Sequence, residues 1–190
     1  MHRSSGSVCS CRRLHLAGVF CRADGERLKN RLYPLATLII GDMRDLALDE
    51  PAALVYCPFR ALLHLPTWAD RRRTFERVAA SLRPGGRFAW NAYAFDHRIA
   101  ARLDGERQTR PAPHTIRYSV GDNRVDLVCD NGAVSSLWWA TKNEWLGLID
   151  VAGLELEALY GSFAREPFTP DASEYVFVAR RGRQAESVRA

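Results

Sequence analysis

Gly41-Asp42-Met43-Arg44-Asp45-Leu46 closes one apolar run, Ala53-Leu54-Val55-Tyr56-Cys57-Pro58-Phe59 forms the next, and Arg83-Pro84-Gly85-Gly86-Arg87-Phe88 launches a third. Residues 67–82, between the second and the third, place Phe75, Val78, Ala79 and Leu82 at helical spacing behind a Thr67 cap and an acidic Asp70. The stretch from Gly41 to Asn91 therefore reads strand end, strand, helix, strand. Gly85 and Gly86 are expected to supply the positive-φ residues of the helix-to-strand turn. Residues 36–40 and 53–57 are short, continuous apolar runs, the pattern of parallel strands buried on both faces. Strands alternating with helices at these intervals predict βαβ units and an α/β fold built on a doubly wound, mostly parallel sheet.

Upstream, residues 14–20 are a short strand candidate, and 24–32 a helix with Asp24 as cap, Leu28 and Leu32 four apart, and Pro34 as its end. Residues 1–13 are polar, basic and without period, an irregular N-terminus. Downstream the pattern changes. Residues 96–113 are charged and proline-containing, a loop or a short helix with a loop. Residues 114–120, 124–130 and 133–139 then alternate apolar and polar, joined at Gly121-Asp122-Asn123 and Asp130-Asn131-Gly132, which are hairpin turn sequences. An antiparallel β meander over about residues 114–139 is expected, laid over one end of the main sheet. Thr141 and Glu144 form a capping-box pair for a helix over 141–152, which Gly153 ends. Residues 154–160 and 174–180 are the last strands, with too little chain between them for a helical crossover, hence antiparallel. One domain over 14–181 with the inserted meander and a flexible tail, 182–190, accounts for the whole chain.

A hydrophobic share of 47% with 26% charged residues belongs to a globular chain and not to a disordered one. No apolar run approaches the about 20 residues of a membrane span, and the N-terminus lacks the apolar core of a secretory signal, so a cytoplasmic protein with no membrane partner is expected. The net charge of +5 is mostly arginine, including Arg71-Arg72-Arg73. Such a surface can bind nucleic acid nonspecifically. No nucleic-acid motif accompanies it, and that partner is not expected. Five cysteines, an odd number, argue against a disulfide framework. Cys9-Ser10-Cys11 lacks the spacing of a structural zinc site, so no metal is expected.

From Leu14 to Arg181 the chain resembles the class I S-adenosylmethionine-dependent methyltransferases, most strongly in residues 41–91 and 138–180. In that family the sheet closes with one antiparallel strand inserted beside a parallel one. The stretch Trp145-Leu146-Gly147-Leu148-Ile149-Asp150-Val151-Ala152-Gly153-Leu154 resembles the lead into that closure. Tyr160-Gly161-Ser162-Phe163 and Ser173-Glu174-Tyr175-Val176-Phe177-Val178 resemble the hairpin itself. The resemblance implies S-adenosylmethionine as cofactor and methyl transfer to a small-molecule acceptor. It assigns Asp42 to the adenine amino group and Met43 to the side of the base. Cys57 and Phe59 fall at the methionine part and the transferring methyl. Asp42 has a second possible role, capping its own turn. His64 is a candidate base for a hydroxyl or amine acceptor, or else a half-buried scaffold histidine. Trp138 and Trp139 point to opposite faces of one strand. One ring is expected in the core and the other toward the meander or solvent, where it would line a pocket for a planar acceptor.

Two family features have no counterpart. No acidic residue followed by G-x-G-x-G precedes Leu14, and Phe20 stands where the family places an acid for the ribose hydroxyls. A truncated or degenerate N-terminal unit is the expectation that covers both. Residues 7–13 would then improvise a central strand, or the sheet halves would close up, or a partner chain would pair with the exposed edges. Three functions stay open: a methyltransferase impaired by loss of that loop, a non-catalytic remnant or binding module, and a basic nucleic-acid-binding protein.

Overall fold

The computed structural model describes residues 41–110 and 112–182, together with the backbone of Gly6–Ser7, Cys9–Ser10 and Gly18–Val19. The expected helix over 24–32, the strand over 36–40 and most of the strand over 14–20 lie outside the described residues. Strand β1 (Gly6–Ser7) pairs antiparallel with β3 (Gly18–Val19), and β2 (Cys9–Ser10) lies antiparallel along the outer edge of β4 (Ala52–Cys57). Part of the 7–13 segment thus occupies the side of β4 where a central strand was expected, with two residues and in antiparallel sense.

The remainder of the sheet follows the sequence order closely. β4 runs parallel to β5 (Leu82–Tyr93) through a 3-10 turn, Ala61–His64, and helix α1 (Trp68–Ser81). The Thr67 hydroxyl caps α1 by accepting from the Asp70 amide at 3.0 Å. β5 also pairs antiparallel with β11 (Glu174–Arg181), which pairs antiparallel with β10 (Leu154–Tyr160), giving the order β10-β11-β5-β4-β2. Among the described residues, β4–β5 is the one parallel pair, so the described sheet is mixed and not mostly parallel.

The expected turn before β5 survives as a bulge inside it. Ala52 faces Leu82 while Leu54 faces Arg87, so Arg83 to Gly86 loop out opposite Ala53. Gly85 has φ +72°, as expected. Gly86 does not share that conformation. It is constrained by space, since a Cβ there would lie 2.9 Å from the carbonyl oxygens of Ala52 and Arg83.

A second, antiparallel sheet has the order β6 (Arg107–Gln108), β7 (His114–Ser119), β8 (Arg124–Cys129), β9 (Val134–Trp138). The 96–113 segment resolves into helix α2 (His97–Leu103) and the short β6, which the Arg107–Asp130 ion pair clasps to the β8–β9 turn. Helix α3 (Lys142–Val151) starts at Thr141, whose hydroxyl accepts from the Glu144 amide at 3.2 Å. The capping box is half formed because the Glu144 carboxylate turns to Arg71 at 2.6 Å.

Both α1 and α3 rest on one face of the main sheet, around Trp90. Trp90 meets Phe75 of α1 edge-on at 5.0 Å and stacks on its cross-strand partner Phe177 at 4.9 Å, with Trp145 of α3 at 6.2 Å. Arg71, buried at this junction, pairs with Glu144, donates to the Trp138 carbonyl and lies 5.4 Å from the Trp145 ring centre. The other two arginines of the run lie on the surface in intramolecular ion pairs, Arg72 with Glu76 and Arg73 with Asp45.

Candidate functional site

The carboxyl ends of β4 and β5 carry the features least explained by folding alone. After Cys57 the chain turns sharply through Pro58-Phe59-Arg60. Phe59 and Arg60 both take left-handed backbone, with φ of +59° and +57°. For side chains with a Cβ this conformation costs about 1–2 kcal/mol per residue, so two in succession require compensation from the surroundings. The compensation is a polar cluster. The Arg60 amide donates to Asn91 Oδ1 at 3.2 Å, and its guanidinium spans both Glu174 oxygens at 2.5 to 3.1 Å. Asn91 Nδ2 donates to Glu174 Oε1 at 2.5 Å. Asn91 and Glu174 are buried, with 4% and 9% exposure. The carboxylate of Glu174 raises the pKa of Arg60 and holds it charged.

Two cavities meet at this cluster. The first, about 390 Å³, opens at the sheet edge between Tyr56, Phe59, Phe163, Arg60, Asn91 and Glu174. Phe59 and Phe163 form its rim and are 83% and 62% exposed. The second, about 280 Å³, lies between the end of β5 and the antiparallel sheet, among Tyr93, Phe95, Ile99, Ile116, Tyr118 and Leu137. Arg60 lines both. Apart from Arg60, the second cavity is polar only at Asp96, Ser173 and its tyrosine hydroxyls. Burial pushes the phenol pKa of Tyr93 well up, and that of Tyr118 up as well, so both remain protonated hydrogen-bonding groups.

Of the residues singled out in the sequence, Phe59 alone lines one of these cavities; Asp42, Met43, Cys57, His64, Trp138 and Trp139 line neither. Phe59 lies on the rim. Asp42 stands half exposed at the start of a 3-10 turn, Met43–Asp45, and caps it by accepting from the Arg44 amide at 2.9 Å. The Arg44 guanidinium chelates both Asp42 oxygens at 3.0 and 2.7 Å and depresses the pKa of that carboxyl. Met43 and Cys57 are core residues, 8% and 1% exposed, beneath the turn and beneath β4's end. His64 ends the 3-10 turn after Arg60, where burial lowers its pKa against an opposing hydrogen bond to the Ser136 backbone. It lines neither cavity. Trp139 is 3% exposed and stacks on Phe95 at 4.1 Å, with Tyr118 at 6.0 Å, backing the wall of the second cavity. Trp138 is half-buried and lends its carbonyl to Arg71.

The Arg60–Asn91–Glu174 cluster was not anticipated. Asn91 left a readable trace, a polar side chain inside the apolar strand Phe88-Ala89-Trp90-Asn91-Ala92. Glu174 heading an apolar strand is a weaker one, and Arg60 left none. No group of histidine, cysteine or carboxylate side chains suited to a metal ion occurs among the described residues, and no described helix is long and apolar enough to cross a membrane.

No protein-family model matches the chain. Over an alignment of 149 residues, 70% of this chain, it is 26% identical to the dTDP-4-amino-2,3,4,6-tetradeoxy-D-glucose N,N-dimethyltransferase of Saccharopolyspora spinosa, of which it spans 59%. Among solved structures, the methyltransferase CcbJ of Streptomyces caelestis matches with a TM-score of 0.64 at 20% identity, over 82% of this chain and 69% of that one. An S-adenosylmethionine-dependent methyltransferase of Clostridium acetobutylicum matches with a TM-score of 0.68 at 12% identity, over 84% and 70%. CalS10, an amino pentose methyltransferase of Micromonospora echinaspora solved with S-adenosylmethionine bound, matches with a TM-score of 0.58 at 23% identity, over 80% and 67%.

Proposed function

We propose that this chain, which has the fold of the class I S-adenosylmethionine-dependent methyltransferases, transfers a methyl group from that cofactor to the amine of a small amino-sugar acceptor. The observation that carries the reading is the pair of cavities joined at Arg60 on the carboxyl edge of the sheet, where open α/β sheets receive their ligands. The amino-sugar class is supported by the Saccharopolyspora and Micromonospora relatives, which act on such sugars.

The described residues fit the cofactor at the first cavity. Tyr56, Phe59 and Phe163 offer apolar faces, and Asn91 and Glu174 offer buried acceptors. Asp42, kept ionised by Arg44, lines neither cavity, and its part in holding an exocyclic amine rests on the family resemblance and on its free lone pairs. Met43 and Cys57 are core residues that line neither cavity, so they would act on the cofactor only through the backbone they support. When bound, the cofactor supplies an electrophilic methyl on a positively charged sulfur. The remaining tasks belong to the chain: holding the acceptor, excluding water and accepting a proton. The second cavity does the first two, its apolar wall stiffened by Trp139 and anchored through Trp138 and Arg71. Asp96, the carboxylate among its lining residues, would take the proton of the acceptor amine. His64, away from both cavities, serves the scaffold.

A second reading, a binding module without turnover, is favoured by one sequence observation: Phe20 stands where the family places an acid for the ribose hydroxyls. Calorimetry with S-adenosylhomocysteine followed by turnover on dTDP-linked amino sugars separates the two. Binding with methyl transfer is expected, and Asp42→Ala should weaken binding several-fold, as loss of a charge-assisted hydrogen bond does. Binding without transfer across the acceptor panel would select the second reading, and an affinity indifferent to Asp42→Ala would remove that residue from the site.

A further inference from the structure

We propose that Glu174 sets the charge of the cofactor cavity and thereby its preference for the sulfonium donor over the neutral thioether product. The inference rests on the reading that the first cavity takes the cofactor. Its basis is geometric. Arg60 and Glu174 line that cavity together, and Arg60 is bound to both carboxylate oxygens. Glu174 is buried, and its only other described hydrogen-bond partner is the neutral Asn91 amide. The pair therefore contributes no net charge to the wall while both members are present.

The donor carries one positive charge that the product lacks. Arg60 alone at this wall would repel the donor and ignore the product. Glu174 alone would attract the donor and likewise ignore the product. At an effective dielectric near 20, one unit charge within about 10 Å changes the affinity of a charged ligand roughly tenfold. A purely structural role, in which the cluster only holds the left-handed Phe59–Arg60 turn, would change both affinities together.

The test is calorimetric titration of the full chain with S-adenosylmethionine and with S-adenosylhomocysteine at low salt. Glu174→Gln should lower the donor-to-product affinity ratio roughly tenfold, and Arg60→Gln should raise it by a similar factor. The double substitution should return the ratio to the wild-type value. Higher salt should shrink both single-variant shifts. The Arg60 side chain is 48% exposed against 12% for Glu174, so Arg60→Gln is the milder substitution; a cooperative thermal melt confirms its fold before titration, and it decides alone if Glu174→Gln does not fold. Ratios within twofold of wild type in Arg60→Gln would overturn the charge role while leaving the cofactor reading intact. Failure of the wild-type chain to bind either ligand would overturn both.

Discussion

At Cys57 the consequence of burial is direct. The thiol is 1% exposed, and desolvation pushes its pKa up to about 12, beyond an opposing hydrogen bond to the Leu62 backbone. A thiol so placed is neither ionised nor reachable. Peptide mapping after alkylation at pH 8 should show Cys57 unmodified in the native protein and modified in urea, with Cys129, which is only half-buried, labelled first. Native labelling of Cys57 at the Cys129 rate would mean that the end of β4 opens. Asp70 illustrates a charged residue in the opposite position. Its pKa is depressed, first by the Thr67 hydroxyl and then by Arg44, below the ordinary 3.8. A depressed carboxyl stabilises the fold above its unfolded value and loses that contribution as pH falls through the folded one. Melting temperature should therefore hold from pH 7 to 5 and fall below about pH 4. Asp70→Asn should lose part of that fall, on the surface-pair scale of about 0.2–1 kcal/mol. An acid transition identical in the variant would assign it to other carboxylates.

Among the elements, those legible in the sequence were the ones carrying their own periodicity and punctuation. β4, α1, α3, the meander strands and the closing β10–β11 hairpin all fall within a few residues of their expected places. α2 and β6 were indistinct because the charged, proline-bearing 96–113 segment gains its order from tertiary clasps such as Arg107–Asp130, which no local pattern announces. The Arg83–Gly86 bulge was legible as a break but not in its mechanics. Gly85 needs its positive φ, and an alanine there should cost about 1 kcal/mol. Gly86 needs its missing Cβ, because the oxygens it would strike are backbone groups at the β4–β5 junction and cannot swing aside. Gly86→Ala should therefore destabilise at least as much, about 1–3 kcal/mol, despite an ordinary φ. Urea unfolding of both variants checks this, and a Gly86→Ala protein as stable as wild type would show that the junction yields.

In the molecule as a whole, function depends on what the sequence shows least, the meeting of distant segments. Arg60, Asn91 and Glu174 come from a turn, a parallel strand and the closing strand, and only the sheet order β11-β5-β4 puts them side by side. That same order leaves β4 differently supported on its two sides. Toward β5 it is paired from Ala52 to Cys57; on its other side the described partner is the two-residue β2, at Cys9↔Tyr56 and Ser10↔Val55. β5, in contrast, lies between β4 and a long antiparallel register with β11. Because local opening follows the density of neighbouring contacts, β4 should exchange its amide hydrogens faster than the Phe88–Tyr93 part of β5. The site would feel this, since Phe59 and Arg60 follow β4 directly. Strand edges that lack a full partner recruit one. If a second copy pairs there, protection of β4 should rise with protein concentration and approach that of β5. Hydrogen exchange read by mass spectrometry across a concentration series distinguishes the cases. Equal protection of β4 and β5 at every concentration would mean that the N-terminal segment braces β4 more fully than the two-residue β2 pairing conveys.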